Sequence, residues 1–331
     1  MKQSRKLPRS LAYAIRTIGD WSAPRRAQDR RLCITNYHRI LGSPDLLLEP
    51  EPDVATFRWQ MEVLADCFNV MPLHDAVHAL GTDRMPARAL AITFDDGYRS
   101  IHDWALPILK EFGLPATVFV TTGHMEDESS MWNDVIVEAI RRLPGTALDL
   151  STIGLGVYSM GSPEDRKLAL LNLTESSKYL PPDARLELTR TLQSLAGHTL
   201  QEELMLTSAM VRTLSSNNVE IGGHTVTHPI LTRINNASAR AEIEENKQQL
   251  EAITGKPVRL FAYPNGKKEL DFDQRHVQMV RDAGYTAAFT TAVGAATRHH
   301  DRFALPRSRP WDTSPLLFAA RLLLWLRGRN T

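Results

Sequence analysis

Short apolar runs alternate along this chain with amphipathic stretches of helical period. The strand-like runs cover residues 32–35, 90–94, 116–121, 219–222, 258–262 and 286–290. The helix-like stretches cover residues 54–66, 101–112, 237–254 and 272–283. Strands that alternate with helices are typical of βαβ units, in which neighbouring strands run parallel. The pattern therefore predicts an α/β fold, a parallel (β/α) barrel.

Two adjacent carboxylates and two histidines follow strand-like runs of this pattern. Asp95 and Asp96 come directly after the run at 90–94, and His224 and His228 come after the run at 219–222. Residues four apart lie on one face of a helix or helical turn, so both imidazoles can reach one ion. Neighbouring residues at a strand end point in different directions, so one carboxylate can bind metal while the other stays free. The pattern predicts a site for one divalent metal ion.

The free carboxylate has a chemical use in such a site. A metal ion lowers the pKa of a water molecule that it binds, and a nearby carboxylate can accept the proton. Each part also has an ordinary explanation, because Asp and Gly favour turns and either histidine could be a hydrogen-bonded core residue. The occurrence of all four residues in this order favours a metal-dependent hydrolase.

These residues resemble the polysaccharide deacetylase family, the carbohydrate esterases with a NodB homology domain. The resemblance covers about residues 32–124 and 217–310, and the family fold is a distorted, incomplete (β/α) barrel. It implies that Asp95, the first Asp of Thr-Phe-Asp-Asp-Gly, is the general base. It also implies that Asp96, His224 and His228 bind zinc, and these ligand types suit cobalt, nickel or manganese as well.

The sequence Tyr-Pro-Asn-Gly follows the run at 258–262. In the family this loop forms one wall of the groove and offers a backbone N–H to the oxyanion, a role that the resemblance assigns to Asn265. Tyr263 and Pro264 are then candidates for substrate binding. Ala262 stands where many members have an Arg that pairs with the base, and Arg307 is our candidate for the missing charge. This version of the loop is similar to that of the poly-N-acetylglucosamine and exopolysaccharide branch.

The general acid of the family, a late Leu-x-His histidine, has no counterpart in this sequence. His38 follows the run at 32–35, in a Tyr-His-Arg sequence that also occurs in exopolysaccharide-type deacetylases, and His124 follows the run at 116–121. Either can serve as acid or as substrate ligand, or make a plain structural hydrogen bond. Trp132 suits stacking on a sugar ring and suits helix packing equally well.

One barrel domain with an insertion is the simplest organisation for 331 residues with 43% hydrophobic content. We predict a barrel over 32–310 with a helical insertion at about 125–216. The insertion either caps the groove and selects the substrate or elaborates the scaffold without touching substrate.

The two ends of the chain read either as helices packed on the barrel or as helices in contact with a membrane surface. Residues 1–31 contain nine Lys or Arg against Asp20 and Asp29, with apolar residues at helical spacing. This pattern predicts a basic amphipathic helix on an anionic membrane or, alternatively, a helix packed on the barrel. The segment 311–331 reads as an apolar and basic helix, and its run at 316–326 is broken by Arg321 and shorter than the ~20 residues that span a bilayer.

No apolar core with a small-residue cleavage site follows the first positive charges, so the sequence does not read as a secretory signal. We expect a cytoplasmic protein, with peripheral contact at the inner membrane as an option and a lipid-linked saccharide as a substrate option. Cys33 and Cys67 fit a reducing compartment better than a disulfide scaffold. The balance of 39 basic against 38 acidic residues gives no sign of a nucleic-acid partner.

Taken together, these features predict a metal-dependent hydrolase that removes N-acetyl groups from N-acetylhexosamine units of a polysaccharide or its lipid-linked precursor. One alternative keeps the metal site and changes the bond to an O-acetyl, formyl or non-sugar amide group. Another is a non-catalytic saccharide-binding protein that retains the fold.

Overall fold

A computed structural model describes residues 7–49, 51–127, 131–196, 204–309 and 312–329. The strands are β1 Leu32–Tyr37, β2 Asn69–Val70, β3 Ala89–Phe94, β4 Ala116–Val120, β5 Ala147–Asp149, β6 Val157–Ser159, β7 Val219–Gly223, β8 Leu260–Ala262 and β9 Ala287–Phe289. The helices are α1 Arg9–Ser22, α2 Val54–Cys67, α3 Leu73–Ala79, α4 Leu106–Phe112, α5 Trp132–Arg142, α6 Pro163–Lys178, α7 Pro182–Ala196, α8 Ser208–Ser215, α9 Asn236–Thr254, α10 Gln274–Asp282 and α11 Pro315–Leu326.

The main sheet is parallel throughout the described residues and curls into a distorted barrel. Its strand order is β1-β3-β4-β7-β8-β9, and β2 also pairs with β3. The pairing is uneven: β1 and β3 share six paired positions, whereas β7 and β8 share the single pair Gly223 and Phe261. This architecture confirms the predicted α/β fold and incomplete barrel.

The gap between β9 and β1 is bridged by a short segment late in the chain. Leu305 pairs with Phe289 of β9, and Ser308 pairs with Thr35 of β1. Arg307 therefore lies on a segment held between the first and last strands, beside the carboxyl ends of both.

Alternation along the strands separates the inside of the barrel from its outside. One cluster of buried side chains fills the interior and includes Leu32, Ile34, Ala89, Ala91, Leu260, Ala262, Ala287 and Phe289. Intervening residues such as Cys33, Leu90 and Ile92 pack outward against the helices. This is the period of two that a strand buried on both faces requires.

Between β4 and β7 the chain leaves the barrel and forms a separate layer. The helices α5, α6 and α7 pack on one another around their own apolar cluster, and β5 and β6 form a short antiparallel hairpin. Tyr179, directly after α6, donates to Asp271 at 3.2 Å, and Leu206 N donates to the Gly97 carbonyl at 2.9 Å. These contacts hold the layer against the end of the barrel that carries Gly97.

The two terminal helices cover one side of the barrel. Both α1 and α11 pack on α2, and α11 also contacts β1. Among the described residues, no helix combines the length and apolar character needed to cross a membrane.

Candidate active site

The ends of β3 and β7 bring four polar side chains together. Asp95 donates its N–H to the Tyr37 carbonyl of β1 at 2.9 Å, so it continues the sheet by one residue. The chain then turns sharply, because Asp96 has φ 73° and Gly97 has φ 90°. The left-handed backbone at Asp96 is uncommon for a residue with a side chain, and it directs Asp95 and Asp96 to different partners.

Asp96, His224 and His228 form one compact set of ligand atoms. The Asp96 carboxylate lies 3.4 Å from Nε2 of His224 and 3.4 Å from Nε2 of His228. All three ligand atoms lie within 4.8 Å of one another. Asp96 and His224 are buried, and the His228 side chain is 12% exposed. One carboxylate oxygen and two imidazole nitrogens on one side of a cation leave other positions open, as catalytic metal sites do.

The two histidines do not lie on a helical turn, which corrects the structure expected from their spacing. They lie in a loop after β7 in which Thr225 has φ 67° and His228 has φ 55°. The Thr225 hydroxyl accepts from the His228 N–H at 3.1 Å and closes this loop. Two left-handed residues thus bring the imidazoles together without a helix.

The hydrogen bonding of the imidazoles fits a bound cation. His224 Nδ1–H donates to the Ala262 carbonyl at 2.7 Å, and its Nε2 faces Asp96. His228 Nδ1 is buried and has no hydrogen-bond partner among the described residues. A metal ligand usually donates its second ring nitrogen to a carbonyl or carboxylate. His224 meets that condition fully, so the donor set fits one divalent metal ion.

Two residues of α9 hold the histidine loop, and the sequence analysis did not identify them. Asn246 accepts from His224 N at 3.0 Å and donates to the Thr225 carbonyl at 2.7 Å. Glu242 accepts from the N–H groups of Val226 and Thr227 at 2.7 and 2.8 Å. Asn246 is fully buried on a helix face shared with Ala239, Ile243 and Leu250. The sequence signal that could have identified Asn246 is a single amide side chain on a helix face that is otherwise apolar.

Arg307 forms a bidentate ion pair with Asp95. Its two terminal nitrogens lie 2.7 Å from the two carboxylate oxygens, and Nε donates to the Thr290 carbonyl at 3.2 Å. The guanidinium also lies over the Phe119 ring at 5.2 Å. Arg307 is 2% exposed and Asp95 3% exposed. The structure therefore brings together the two residues that the sequence proposed as base and compensating charge.

The charges around the two carboxylates keep both ionised. Burial alone would raise the pKa of Asp95, but the Arg307 guanidinium and His224 outweigh it and the net pKa is lowered. Burial also opposes ionisation of Asp96, yet the imidazoles of His224 and His228 beside its carboxylate lower its pKa overall. Burial lowers the pKa of His228 to about 3, which favours the neutral imidazole that a metal requires.

His38 and His124 lie at the same end of the barrel. His38 lies near both Asp95 and Asp96, and its buried Nδ1 has no hydrogen-bond partner among the described residues. His124 follows β4 in a 3-10 segment, and its charge acts on His228. Both histidines therefore border the site, and their predicted roles as acid or substrate ligand stay predictions.

The loop after β8 lies on the other side of the site. Asn265 has φ 60°, and its carbonyl accepts from the Thr291 hydroxyl at 2.7 Å. Its N–H donates to no described residue. A backbone N–H left without a partner at the edge of the site suits the predicted oxyanion donor, which remains a prediction.

Tyr263 and Pro264 are both buried, which argues against the direct contact with substrate that the sequence suggested. The Tyr263 ring is 1% exposed, stacks on Phe272 at 3.7 Å and donates its hydroxyl to the Phe303 carbonyl at 3.1 Å. Pro264 accepts from Gly266 N at 2.7 Å. The two side chains support the loop from behind.

A cleft of about 790 Å³ begins beside the site, between the barrel and α5. Arg39 and Tyr98, which follow His38 and Gly97, line it together with Asp134 and Trp104. The Arg39 guanidinium lies 4.0 Å from the Tyr98 ring centre and pairs with Asp134. Trp104 is 41% exposed in this cleft. Sequence analysis assigned a role to none of the four, although Arg39 belongs to the Tyr-His-Arg sequence around His38.

Trp132 lies at the start of α5, next to this cleft but outside its lining. The Arg185 guanidinium lies 5.2 Å from its ring, and the ring is partly buried against the apolar cluster of α5, α6 and α7. This position agrees with the packing alternative for Trp132, and its contact with a sugar stays a prediction.

Comparison with known proteins identifies the family. The sequence model described as polysaccharide deacetylase matches residues 82–153 and 177–288, more than half of the 331 residues. The chain belongs to the polysaccharide deacetylase family. The resemblance inferred from the motifs is thereby confirmed.

Two relatives of known sequence show where the likeness is concentrated. The provisionally named polysaccharide deacetylase YxkH of Bacillus subtilis is 18% identical over 311 residues, which cover 93% of this chain and 82% of that protein. The poly-β-1,6-N-acetyl-D-glucosamine N-deacetylase of Staphylococcus aureus is 44% identical over 106 residues, which cover 29% of this chain and 37% of that protein. Such relatives are consistent with the exopolysaccharide branch of the family.

Solved structures show the same fold. The Streptococcus pyogenes deacetylase PplD in complex with acetate matches with a TM-score of 0.60 at 18% identity, over 89% of this chain and 99% of that one. IcaB from Ammonifex degensii matches with a TM-score of 0.56 at 17% identity, over 89% of this chain and 97% of that one. As a member of this family, the chain is a polysaccharide deacetylase-like hydrolase of carbon–nitrogen bonds other than peptide bonds.

Proposed function

We propose that this polysaccharide deacetylase family member is a metal-dependent de-N-acetylase acting on N-acetylhexosamine units of a polysaccharide or its lipid-linked precursor. The observation that carries the proposal is that two adjacent carboxylates have different partners. Asp96 lies with His224 and His228, while Asp95 is paired with Arg307 and is not part of that set. A ligand and a separate base are what this chemistry requires.

A divalent ion held by Asp96, His224 and His228 would supply the positive charge that acidifies water and polarises the acyl oxygen, and zinc is the first ion to test. Asp95 accepts the proton of the attacking water on a carboxylate oxygen. Arg307 keeps that carboxylate ionised and oriented through two hydrogen bonds at 2.7 Å. The Asn265 N–H stabilises the developing oxyanion.

Departure of the amine requires a proton donor on the leaving-group side. His38 supports this assignment through its position near both carboxylates and its buried, unpartnered Nδ1. His124, near His228, is the alternative donor. An imidazole suits the task because it exchanges protons near neutral pH.

The saccharide assignment is supported by the relatives and by the cleft. The S. aureus relative is named for a polymer of N-acetyl-D-glucosamine. The cleft beside the site offers an exposed aromatic face, Trp104, and planar charged groups such as the guanidinium of Arg39 and the carboxylate of Asp134, which pair with each other. Flat aromatic faces and planar polar groups suit sugar units that neighbour the one undergoing reaction.

Acetate release tests the proposal. N-acetylglucosamine oligomers are incubated with purified protein and added zinc or cobalt, and acetate and new free amine are both measured. Asp95→Asn and His228→Ala should each abolish release, while His299→Ala, at an exposed histidine outside the site, should keep it.

The products distinguish the alternatives that share the metal site. Equal amounts of acetate and amine from the oligomers support de-N-acetylation. Acetate without amine from an O-acetylated sugar indicates an O-acetyl substrate, and formate from a formylated sugar indicates a formyl substrate, since the oligomers themselves carry neither group. Absence of metal binding in the wild-type protein would refute the catalytic proposal. Metal binding at one ion per chain without turnover of any acylated saccharide would favour a saccharide-binding protein.

A further inference from the structure

The helices α1 and α11 lie side by side on the flank of the barrel and run in the same direction. Leu11 near the start of α1 borders the same groove as Leu316 at the start of α11. Near the other end, a Cβ built on Gly19 would lie 3.1 Å from Leu323. Their inward faces are buried, through Ala12, Ile15 and Gly19 on α1 and Phe318, Ala319, Leu322 and Leu323 on α11. The two helices thus form one continuous outer surface.

That outer surface is apolar to a degree unusual for a protein exterior. Trp21 is 87% exposed, Tyr13 65% and Ile18 49% on α1, and Leu317 is 57% and Leu316 47% exposed on α11. These five residues are called the α1/α11 face below. Exposed apolar residues grouped in this way mark an interaction surface, whereas single ones need no explanation.

Positive charge surrounds the α1/α11 face. Arg9 and Arg16 are exposed on α1 and pair with no acidic residue in the described part of the chain. The only acidic residue of α1, Asp20, lies 2.8 Å from Arg88 and is thereby neutralised. Further exposed arginines follow the two helices, namely Arg25, Arg26, Arg327 and Arg329.

Other exposed leucines lack this cationic rim. Leu168 and Leu171 of α6 are 57% and 56% exposed. The same helix carries both signs of charge, with Glu164, Asp165 and Glu175 beside Arg166, Lys167 and Lys178. The combination of exposed aromatic residues and unopposed arginines is therefore specific to the α1/α11 face among these surfaces.

We propose that the α1/α11 face docks on an anionic lipid bilayer surface. Trp and Tyr prefer the headgroup level of a bilayer, and arginines beside it are attracted to anionic lipids. The face would lie in the interface with Tyr13 and Trp21 inserted and Arg9 and Arg16 at the headgroups. This goes beyond the proposed chemistry and does not depend on it.

Docking in this way would set the orientation of the active site. α11 begins shortly after Ser308, which pairs with Thr35 near the carboxyl end of β1, and α11 ends near Arg31, which precedes β1. The face therefore runs along the barrel from the end that carries Asp95 to the opposite end. The mouth of the site would open beside the bilayer, where a lipid-linked saccharide is within reach; this last step alone rests on the proposed function.

Vesicle flotation of the full chain tests the proposal. One set of vesicles is pure phosphatidylcholine, and in the other part of it is replaced by phosphatidylglycerol. The protein should float with the anionic vesicles, and less at higher salt because the attraction is screened. The variant Arg9→Gln/Arg16→Gln should reduce the partition coefficient about fivefold per arginine, roughly 25-fold in total.

Two further variants distinguish docking of the α1/α11 face from nonspecific adsorption of exposed apolar residues to lipid. Tyr13→Ser/Trp21→Ser should lose binding, and the matched pair Leu168→Ser/Leu171→Ser should keep it. In wild type, brominated lipid should quench part of the tryptophan fluorescence, and Trp21→Phe should remove that part while the protein still binds. This second readout requires only a conservative change.

Three results would overturn the proposal. The first is no flotation with anionic vesicles. The second is an equal loss of vesicle binding in the Leu168→Ser/Leu171→Ser control and in the α1 variants. The third is a concentration-dependent dimer that Tyr13→Ser/Trp21→Ser dissociates, which would assign the face to a second copy of the chain. All three readouts are independent of deacetylase turnover, so a failed activity assay has no bearing on them.

Discussion

The ion pair between Arg307 and Asp95 leads to a prediction on stability and on rate. Two charge-assisted hydrogen bonds at 2.7 Å join two residues that are each at most 3% exposed. Removal of one partner from a buried pair leaves an uncompensated charge and costs about 3–5 kcal/mol. We expect Arg307→Met to lower the free energy of unfolding at neutral pH by that amount, and the Tm by roughly 10 °C.

The double variant Asp95→Asn/Arg307→Met supplies the internal test. With the carboxylate neutral, the apolar Met no longer leaves a charge without a partner, so stability should return to within about 2 kcal/mol of wild type. Denaturant unfolding of the four proteins in this cycle gives the coupling free energy. A coupling near zero would refute the reasoning that the pair is energetically linked.

Rate is measured with Arg307→Lys, which keeps the charge but loses the two-pronged guanidinium geometry. We expect kcat to fall roughly 10-fold to 100-fold with little change in KM, since a general base contributes about 10²–10⁴ and here it is misoriented rather than lost. Because Arg307 opposes the effect of burial on the pKa of Asp95, the acid limb of the pH–rate profile should move to higher pH.

Arg309→Lys is the matched control for rate, because Arg309 lies two residues away and pairs with Glu51 at 2.6 Å instead of Asp95. The kcat of Arg309→Lys should equal that of the wild-type protein. If Arg307→Lys also keeps kcat while Asp95→Asn abolishes it, Arg307 does not position the base.

Two further predictions concern residues away from the reacting atoms. Asn246→Leu should weaken metal affinity about 10-fold to 100-fold, because His224 loses the hydrogen bond at 3.0 Å that holds its backbone; competition with a chelating dye measures this, and unchanged affinity would contradict it. Burial raises the pKa of Glu220 from 4.5 to about 7. Its folded form thus holds a proton that the unfolded chain releases, so this contribution to stability is complete below pH 4.5 and is lost as pH rises through about 7. Glu220→Gln should raise stability above pH 7 by on the order of 2 kcal/mol and have little effect below pH 4.5, as pH-dependent thermal unfolding would reveal.

The fold was largely predictable because the buried strands of the barrel lie within apolar runs of the sequence. Each of the six predicted strands corresponds to one in the barrel, with bounds that differ by at most two residues at either end. The strands that sequence analysis missed, β2, β5 and β6, have two or three residues. β8 and β9 are equally short but fully buried and lie within apolar runs, whereas β2, β5 and β6 are partly exposed and leave no apolar run to recognise.

The site was predictable at polar residues that directly follow a strand, and it was less predictable at residues that a loop or a tertiary contact places. The spacing of His224 and His228 correctly indicated that the two imidazoles lie close together, but the left-handed backbone of Thr225 and His228 leaves no periodic trace in sequence. Tyr263 was misassigned because an aromatic residue beside a turn looks the same whether it faces the groove or the core. Its stacking on Phe272 is a tertiary contact that no local pattern encodes.

Arg307 shows why a missing motif residue need not mean a missing function. In a parallel barrel the carboxyl ends of all strands converge, so a charge from any late segment can reach the same carboxylate. Ala262 ends β8, whereas Arg307 lies between Leu305 and Ser308, which pair with β9 and β1. The alanine retains a backbone role, since its carbonyl accepts from His224 at 2.7 Å. The cation that neutralises Asp95 thus comes from a different segment of the chain, and the geometry at the Asp95 carboxylate, not the position in the sequence, decides whether the pairing is present.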